Sequence, residues 1–399
     1  MLEFIKTKGK GLSLGETYEN AKNNSVVLQY TEMTETQYED YYKSFLPEFT
    51  VYDEKCIVGN RFATLINETH ELHLCFYPSI AEMRVIYGGR VWLPEKTTPS
   101  AEHIMTPAFT QIGLSIGGML YVVQLANGTF MIIDSGKKND EDRDLLLKFL
   151  YEKKPAHHEK PIISAWLISH AHHDHLHLCL DFLLTYGDKV ELSLFGYNFP
   201  DFETDIIKST RAVETEHAAH WQNCIKEMLD EHFPDTVRYT MHTGQTLLLP
   251  GCKVDFLGTW EDHWPGFMKT VNETSFIVRF TFENGHTFLL PCDAWNGQTD
   301  LAVAVWGDHL KSDVLQVIHH GLRGGNIAFY EKVAPEILFW PSPETRFVAA
   351  PGSIVDPETG KKTAVVRDNE PSLWLLERID RHYHCGRTVT IDTETLEEI

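Results

Sequence analysis

The chain reads Ser169-His170-Ala171-His172-His173-Asp174-His175 in its most informative stretch. The pattern His-x-His-x-Asp-His places four potential metal ligands within six residues there. The apolar, branched run at 162–168 comes directly before it and predicts a buried strand that starts after Pro161. The leucine-rich run at 176–184 predicts a helix that packs back on the sheet. We therefore expect the ligands in a loop at the carboxyl end of a strand, between two core elements.

The spacing within this stretch suits two cations bridged by a water. His170 and His172 alternate along the chain and can point the same way, whereas Asp174 and His175 turn toward a second position. Imidazole nitrogens and a carboxylate oxygen are ligands that zinc, iron and manganese all accept. The alternative is a chance grouping in a chain that has 21 histidines.

Three other predicted strands also end in potential ligands. These ends are Asp134 after 129–133, Asp293 after 287–290, and His319 and His320 after 313–318. An Asp before a Gly, as in Asp134-Ser135-Gly136, can simply form a turn. Buried strands usually end in small turn residues, however, so the repetition favours a site at one edge of a sheet.

Composition limits the class of protein. With 399 residues and 43% hydrophobic content, the chain can form one large core or two modest ones. The net charge of −22 opposes general binding of long nucleic acid. Seven scattered cysteines without a Cys-x-x-Cys pair indicate reduced thiols, and no stretch resembles a signal peptide or a membrane span. We expect a cytoplasmic protein without membrane contact; its oligomeric state stays open.

Residues 1–100 are predicted to form a separate, small α+β module. Thr34 to Gln37 has the form of a capping box, and the following aromatic stripe from Tyr38 to Phe45 predicts a helix with one buried face. Two short strands, 62–66 and 72–77, should form a hairpin, and no catalytic pattern is visible in this part. The polar, proline-flanked segment 94–100 is the predicted boundary, so 101–399 forms the second domain.

The ordered motifs resemble those of the metallo-β-lactamase superfamily over residues 110–330. The motifs that carry the resemblance are His170 to His175, Asp134-Ser135-Gly136, Pro291-Cys292-Asp293-Ala294 and His319-His320-Gly321. Residues 272–275 and 313–321 further resemble the branch that contains the soluble hydrolase domain of DNA-uptake competence proteins. The resemblance implies an α/β fold, an αββα sandwich of two mixed β-sheets flanked by helices, for the domain 101–399, beside the smaller N-terminal module.

The resemblance also implies roles for individual residues. It implies His170 and His172 for a first metal, Asp174 and His175 for a second, Asp293 as the bridge, His319 or His320 to complete the second site, and Asp134 as a carboxylate that orients a ligand. Asp174 and Asp293 would be the catalytic carboxylates. Many members have a histidine where this chain has Asn272, so weaker binding of the first metal is expected. His263 is a less favoured substitute.

The predicted function is a metal-dependent hydrolase that uses a metal-bound hydroxide. Two divalent ions, zinc first and iron or manganese as alternatives, would lower the pKa of a bridging water. A small phosphodiester or related anionic ester is the expected substrate, with Asn272, Arg323 and Asn326 as candidate substrate-binding residues. The alternatives are an acyl hydrolase for a lactone, thioester or amide, then a non-catalytic or redox metal-binding protein. For the loop with Arg323 and Asn326, the alternative is a solvated loop.

Overall fold

The computed structural model describes residues 1–98, 101–207, 212–264, 268–355 and 360–399. Three β-sheets organise these residues. The predicted domain boundary at 94–100 falls partly on Pro99 and Ser100, which lie outside the described residues.

The first sheet has six antiparallel strands in the order β1-β2-β6-β5-β4-β3. Its strands are β1 Ser13–Asn20, β2 Ser25–Thr31, β3 Thr50–Ile57, β4 Asn60–Ile66, β5 His70–Tyr77 and β6 Glu82–Gly89. Helices α1 (Leu2–Lys8) and α2 (Glu35–Phe45) cover one face. The capping box of Thr34 and Gln37 begins α2, as predicted, and its aromatic stripe is buried.

The opposite face of the first sheet packs against the rest of the protein. Along β5, Leu72, Leu74 and Phe76 join the core under α2, whereas Cys75 and Tyr77 join the core of the larger part. This follows from the two-residue period of a strand. On β4, the Phe62 ring stacks on Trp306 with 5.5 Å between ring centroids. The first sheet therefore shares a core with the rest of the protein. That residues 1–100 form a separate domain stays a prediction.

The second and third sheets are both mixed. The bounds are β7 Ala108–Gln111, β8 Leu120–Gln124, β9 Phe130–Asp134, β10 Ile162–Leu167, β11 Glu191–Leu192, β12 Leu194–Gly196, β13 Val237–Tyr239, β14 Thr246–Leu249, β15 Cys252–Gly258, β16 Ile277–Phe282, β17 Thr287–Leu290, β18 Val314–Gln316, β19 Ile337–Trp340, β20 Arg381–His384 and β21 Val389–Asp392. The second sheet has the order β13-β12-β10-β9-β8-β7-β21, with β11 beside β10, and the third runs from β14 to β20. Pairing is parallel from β9 to β13 and from β17 to β20.

The two mixed sheets face each other across one apolar layer. Phe109 of the second sheet lies against Phe288 and Phe339 of the third, at centroid distances of 4.8 and 5.8 Å. The outer faces pack on helices. These helices are α3 Asp140–Lys153, α4 His173–Tyr186, α5 Ala212–His232, α6 Trp260–His263, α7 Asn296–Trp306, α8 Ile327–Val333, α9 Glu344–Val348 and α10 Glu370–Leu376. The expected αββα sandwich is confirmed.

One local prediction needs correction. His173, Asp174 and His175 form the first turn of α4 rather than a loop, because His172 is already in the extended conformation that caps a helix. Ahead of β16, residues 271–274 form a 3₁₀ turn, which starts where the Thr270 hydroxyl accepts a hydrogen bond from the Asn272 N–H.

Within the described ranges, the structure contains no helix that is both long and apolar enough to cross a membrane.

Candidate metal centre

The candidate centre lies where four strands end. Strands β9 and β10 run parallel in the second sheet, and β17 and β18 run parallel in the third. Parallel neighbours present their carboxyl ends at the same edge of a sheet. Asp134, His170, Asp293 and His319 follow these four ends and meet between the two sheets.

Two groups of ligand atoms form at this edge. His170, His172 and Asp293 form the first ligand cluster, and Asp174, His175 and His320 form the second. Within each cluster, the ligand atoms lie within 4.8 Å of one another. The division agrees with the predicted pairing of His170 with His172 and of Asp174 with His175.

Asp293 occupies the middle of the centre. Its Oδ2 lies 3.2 Å from His175 Nε2, 3.6 Å from His320 Nε2 and 3.9 Å from His170 Nε2. It thus faces ligands of both clusters, which is the placement expected of a bridging carboxylate. Although burial alone raises the pKa of a carboxyl, His175 and the neighbouring histidines hold the pKa of Asp293 well below its usual range.

Asp134 lies behind the second cluster, as predicted. Its Oδ2 accepts hydrogen bonds from His175 Nδ1 and from the Ser169 hydroxyl, both at 2.7 Å. Its Oδ1 accepts one from the Ser169 backbone N–H, also at 2.7 Å. A proton fixed on Nδ1 leaves His175 Nε2 free to act as a ligand on the side of Asp293.

The structure places the two adjacent histidines differently. His320 donates from Nδ1 to the Pro341 carbonyl at 2.6 Å, and its Nε2 lies 3.8 Å from Asp174 Oδ2. The Nε2 atoms of both histidines lie 3.6 Å from Asp293 Oδ2, but His319 belongs to neither cluster and its ring lies against Trp295, with centroids 5.3 Å apart. His320 is therefore the better candidate for the second cluster.

Sequence reasoning missed Glu214, which holds the first cluster in place. Its Oε1 lies 3.0 Å from His172 Nε2 and also accepts hydrogen bonds from Thr270 Oγ1 and the Val271 N–H. His172 Nδ1 in turn lies 3.0 Å from His170 Nε2. Glu214 is one acid in the first turn of α5, far from the ligand stretch, and nothing in its local pattern sets it apart.

The donor set fits divalent cations. His175 Nε2, His320 Nε2 and Asp293 Oδ1 are buried and make no hydrogen bond. Buried polar atoms are rarely left in this state, and their convergence supports binding of a divalent metal. Burial lowers the pKa of His170 well below its usual range, which favours the neutral form that a metal ligand needs, whereas Asp293 and Asp134 raise the pKa of His175 against the effect of burial.

Asn272 lies beside the centre without joining it. Its Nδ2 lies 3.4 Å from His319 Nε2, and its Oδ1 is buried without a partner. The suggested substitute, His263, does not line the cavity above the centre. Its Nε2 lies 3.5 Å from a Glu273 carboxylate oxygen, so the structure does not bring it to the first cluster.

The backbone at these strand ends is left-handed. Asp134, Cys292, His319 and His320 have φ values of 56°, 50°, 48° and 57°. L-residues seldom adopt this conformation, and where they do they are found in turns and at functional sites. Four of the ten such non-glycine residues in the described ranges thus lie at the candidate centre.

A cavity of about 1090 Å³ opens above both clusters. Asn272 and Arg323, two of the three candidate substrate-binding residues, line it. The structure does not bring Asn326 to its wall, since this side chain caps α8 through the Phe329 N–H and donates to Thr299 and Asp300. Lys269, Arg346 and Lys362 were not predicted, yet they line the same cavity.

Two mixed sheets, outer helices and ligands at the strand ends together define the architecture. The described residues form the αββα sandwich that the resemblance to the metallo-β-lactamase superfamily implied. Comparison of the sequence with protein-family models and with curated proteins found no match.

Solved structures of similar architecture share little sequence with the chain. CmlA, a diiron β-hydroxylase from Streptomyces venezuelae, matches with 13% identity and a TM-score of 0.39, over 74% of this chain and 55% of CmlA. The metallo-β-lactamase fold protein YhfI from Bacillus subtilis matches with 15% identity and a TM-score of 0.35, over 59% of this chain and 85% of YhfI. Human tRNase Z, short form, matches with 12% identity and a TM-score of 0.31, over 58% of this chain and 90% of tRNase Z. The chain thus spans just over half the length of CmlA, and the narrower likeness to competence proteins finds no support among these structures.

Proposed function

We propose that the chain is a metal-dependent hydrolase that acts on a small phosphodiester or related anionic ester. The observation that carries the proposal is the cavity, which is lined by members of both ligand clusters and by four cationic side chains. These cations are Lys269, Arg323, Arg346 and Lys362. They come from four separate segments, so the sequence contains no basic run that would have revealed them.

The charge of the cavity supports an anionic substrate. No ion pair involving these four cations is found among the residues that the structure describes. Unpaired guanidinium and ammonium groups around a concave site attract and orient phosphate or carboxylate groups. The net charge of −22 opposes a long polyanion, whereas four local cations suffice for a small one.

The ligand assignment is part of the proposal. His170, His172 and Asp293 would hold one metal, and Asp174, His175 and His320 the other, with zinc as the first candidate and iron or manganese as alternatives. When bound, such a pair supplies a water of lowered pKa and stabilises both oxygens of an in-line displacement. Asp134 and Glu214 keep the protons of His175 and His172 on the ring nitrogens that face away from the centre.

Hydrolysis of an acyl substrate is the second candidate. Four of the residues that line the cavity are apolar and would accommodate an acyl chain; they are Val213, Trp221, Trp295 and Leu322. The same nucleophile attacks a carbonyl carbon. A cytoplasmic, reducing location also belongs to the proposal, because five of the seven cysteines are buried in the core.

The test is a substrate panel assayed with the full chain. It compares a chromogenic phosphodiester, a phosphomonoester, a lactone, a thioester and plasmid DNA, with Asp293→Ala as the inactive control. We expect metal-dependent cleavage of the phosphodiester and none of the plasmid at physiological salt. Cleavage confined to the acyl compounds would favour the second candidate, and no turnover of any compound by metal-loaded protein would remove the hydrolase proposal.

A second experiment tests whether the cationic side chains of the cavity bind the substrate. Arg323→Ala should raise KM for the phosphodiester by about tenfold, or ~1.4 kcal/mol, because one charge-assisted hydrogen bond is lost. Arg367→Ala is the matched control, since this exposed arginine does not line the cavity. Equal KM values for both variants would show that Arg323 does not contact the substrate.

A further inference from the structure

A second group of histidines and carboxylates lies at the contact between the first sheet and the sandwich. Glu71 and His73 are on β5, His242 follows β13, and Glu261 is in α6. All four are buried, with exposed fractions of 2–4%. None of them lines the cavity above the candidate metal centre, so the proposed hydrolase chemistry does not use them.

Strand geometry brings the first two together. Glu71 and His73 are two residues apart on β5 and point to the same face of the first sheet, toward the sandwich. This is the face whose Cys75 thiol lies near the Thr243 carbonyl. The sequence showed only a strand there, because the partner histidine is 169 positions away from His73 (242 − 73).

The distances are those of a cation site. One ligand atom each from Glu71, His73 and His242 lies within 4.8 Å of the others. His73 Nε2 is 3.3 Å from Glu71 Oε1, and the rings of His73 and His242 are 4.1 Å apart between centroids. Ligands bonded at zinc's usual length lie about 3.4 Å apart around a tetrahedral ion, so small side-chain movements suffice.

The far side of each ring is already held. His242 Nδ1 lies 2.7 Å from Glu261 Oε2, which fixes the proton on Nδ1 and leaves Nε2 as a ligand. His73 Nδ1 lies 3.0 Å from the Thr64 hydroxyl and 3.4 Å from Gln245 Nε2, and its Nε2 faces Glu71. A carboxylate behind a histidine is the arrangement that orients metal-bound imidazoles.

The nearby carboxylates also favour a dication. Glu71 and Glu261 are both buried. The nearby Arg84 is paired with Glu82 at 2.8 Å and with backbone carbonyls, so it is already engaged. A divalent ion between His73 and His242 would balance the two carboxylates.

We propose that Glu71, His73 and His242 bind a zinc ion that ties the first sheet to the sandwich, with Glu261 orienting His242. Three protein ligands leave one position for water. The ion would be a structural metal that links the first sheet to the sandwich, separate from the metals proposed for the candidate centre.

The first experiment locates the ion in the full-length protein. Crystals grown with zinc are measured on both sides of the zinc absorption edge. We expect an anomalous peak bounded by Glu71, His73 and His242, in addition to any peak at the candidate centre. No peak at this position in zinc-grown crystals overturns the proposal, whatever the occupancy of the centre.

The second experiment counts metal by elemental analysis after dialysis against metal-free buffer. Glu71→Gln, which keeps the size of the side chain, should bind one zinc equivalent fewer than the wild type and retain metal-dependent hydrolysis. His232→Ala, at an exposed histidine in α5, is the control and should retain the full count. An unchanged count in both Glu71→Gln and His242→Gln refutes the site, whereas loss of hydrolysis alone bears only on the proposed function.

Discussion

Replacement of Asp134 by Asn tests whether this carboxylate sets the proton position of His175. The substitution keeps the shape of the side chain and the hydrogen bond from the Ser169 N–H. It places an NH₂ donor opposite His175 Nδ1, so the ring must accept there, and its proton moves to Nε2. That nitrogen is the one that faces Asp293 at 3.2 Å and the proposed metal.

The expected effect of Asp134→Asn differs between the metal-bound and the metal-free protein. Loss of such an orienting partner weakens metal binding by about 10- to 100-fold, or ~1.4–2.7 kcal/mol. The free energy of unfolding of the metal-free protein should change by less than the free energy of metal binding. Burial raises the pKa of Asp134 despite its hydrogen bonds with His175 and Ser169, so the variant also removes a buried charge.

The assay is competition with a chromogenic chelator, together with chemical denaturation of the metal-free protein. Asp142→Asn is the matched control, since Asp142 is equally buried but accepts hydrogen bonds from Ser115 and Asn139, away from the centre. We expect Asp142→Asn to lower stability and to leave metal affinity unchanged. Metal affinity of Asp134→Asn within twofold of the wild type would refute the reasoning.

Three further outcomes are expected. Phe62→Ala removes the ring stacked on Trp306 and should lower the free energy of unfolding by about 3–5 kcal/mol in urea denaturation; a value below 1 kcal/mol would show that the first sheet is not part of the common core. Thr34→Ala deletes the cap of α2 and should cost about 1 kcal/mol in the same measurement, with no change in metal content. His320→Ala should remove about one metal equivalent and His319→Ala none, as measured by elemental analysis; the reverse order would exchange their roles.

Much of the fold could be predicted because its signals are local. The apolar, branched run at 162–168 predicted β10, and the aromatic stripe after Thr34 predicted α2. The ligand stretch was recognisable because its members are adjacent in sequence. The spacing of these residues along the chain was enough to predict that His170 and His172 belong to one cluster and Asp174 and His175 to the other.

The remainder depends on contacts between distant segments. Glu214 contacts His172 although the two residues are 42 positions apart in sequence. The four cationic side chains that line the cavity come from four separate segments. The choice between His319 and His320 depends on a left-handed backbone, which propensities do not reveal. Asn326 was expected at the substrate because it lies in the glycine-containing loop just after His319 and His320, but an Asn at this position serves equally well as a helix cap.

The left-handed strand ends link metal supply to the amount of protein in the cell. Four such residues, each costing on the order of 1 kcal/mol, remove ~4 kcal/mol from a total stability that is typically about 5–15 kcal/mol. If the centre binds metals as proposed, their binding energy restores this loss, and a chain without metal populates unfolded forms far more often. Proteases remove unfolded forms first. Metal starvation should therefore shorten the half-life of the protein rather than leave a stock of inactive molecules waiting for metal.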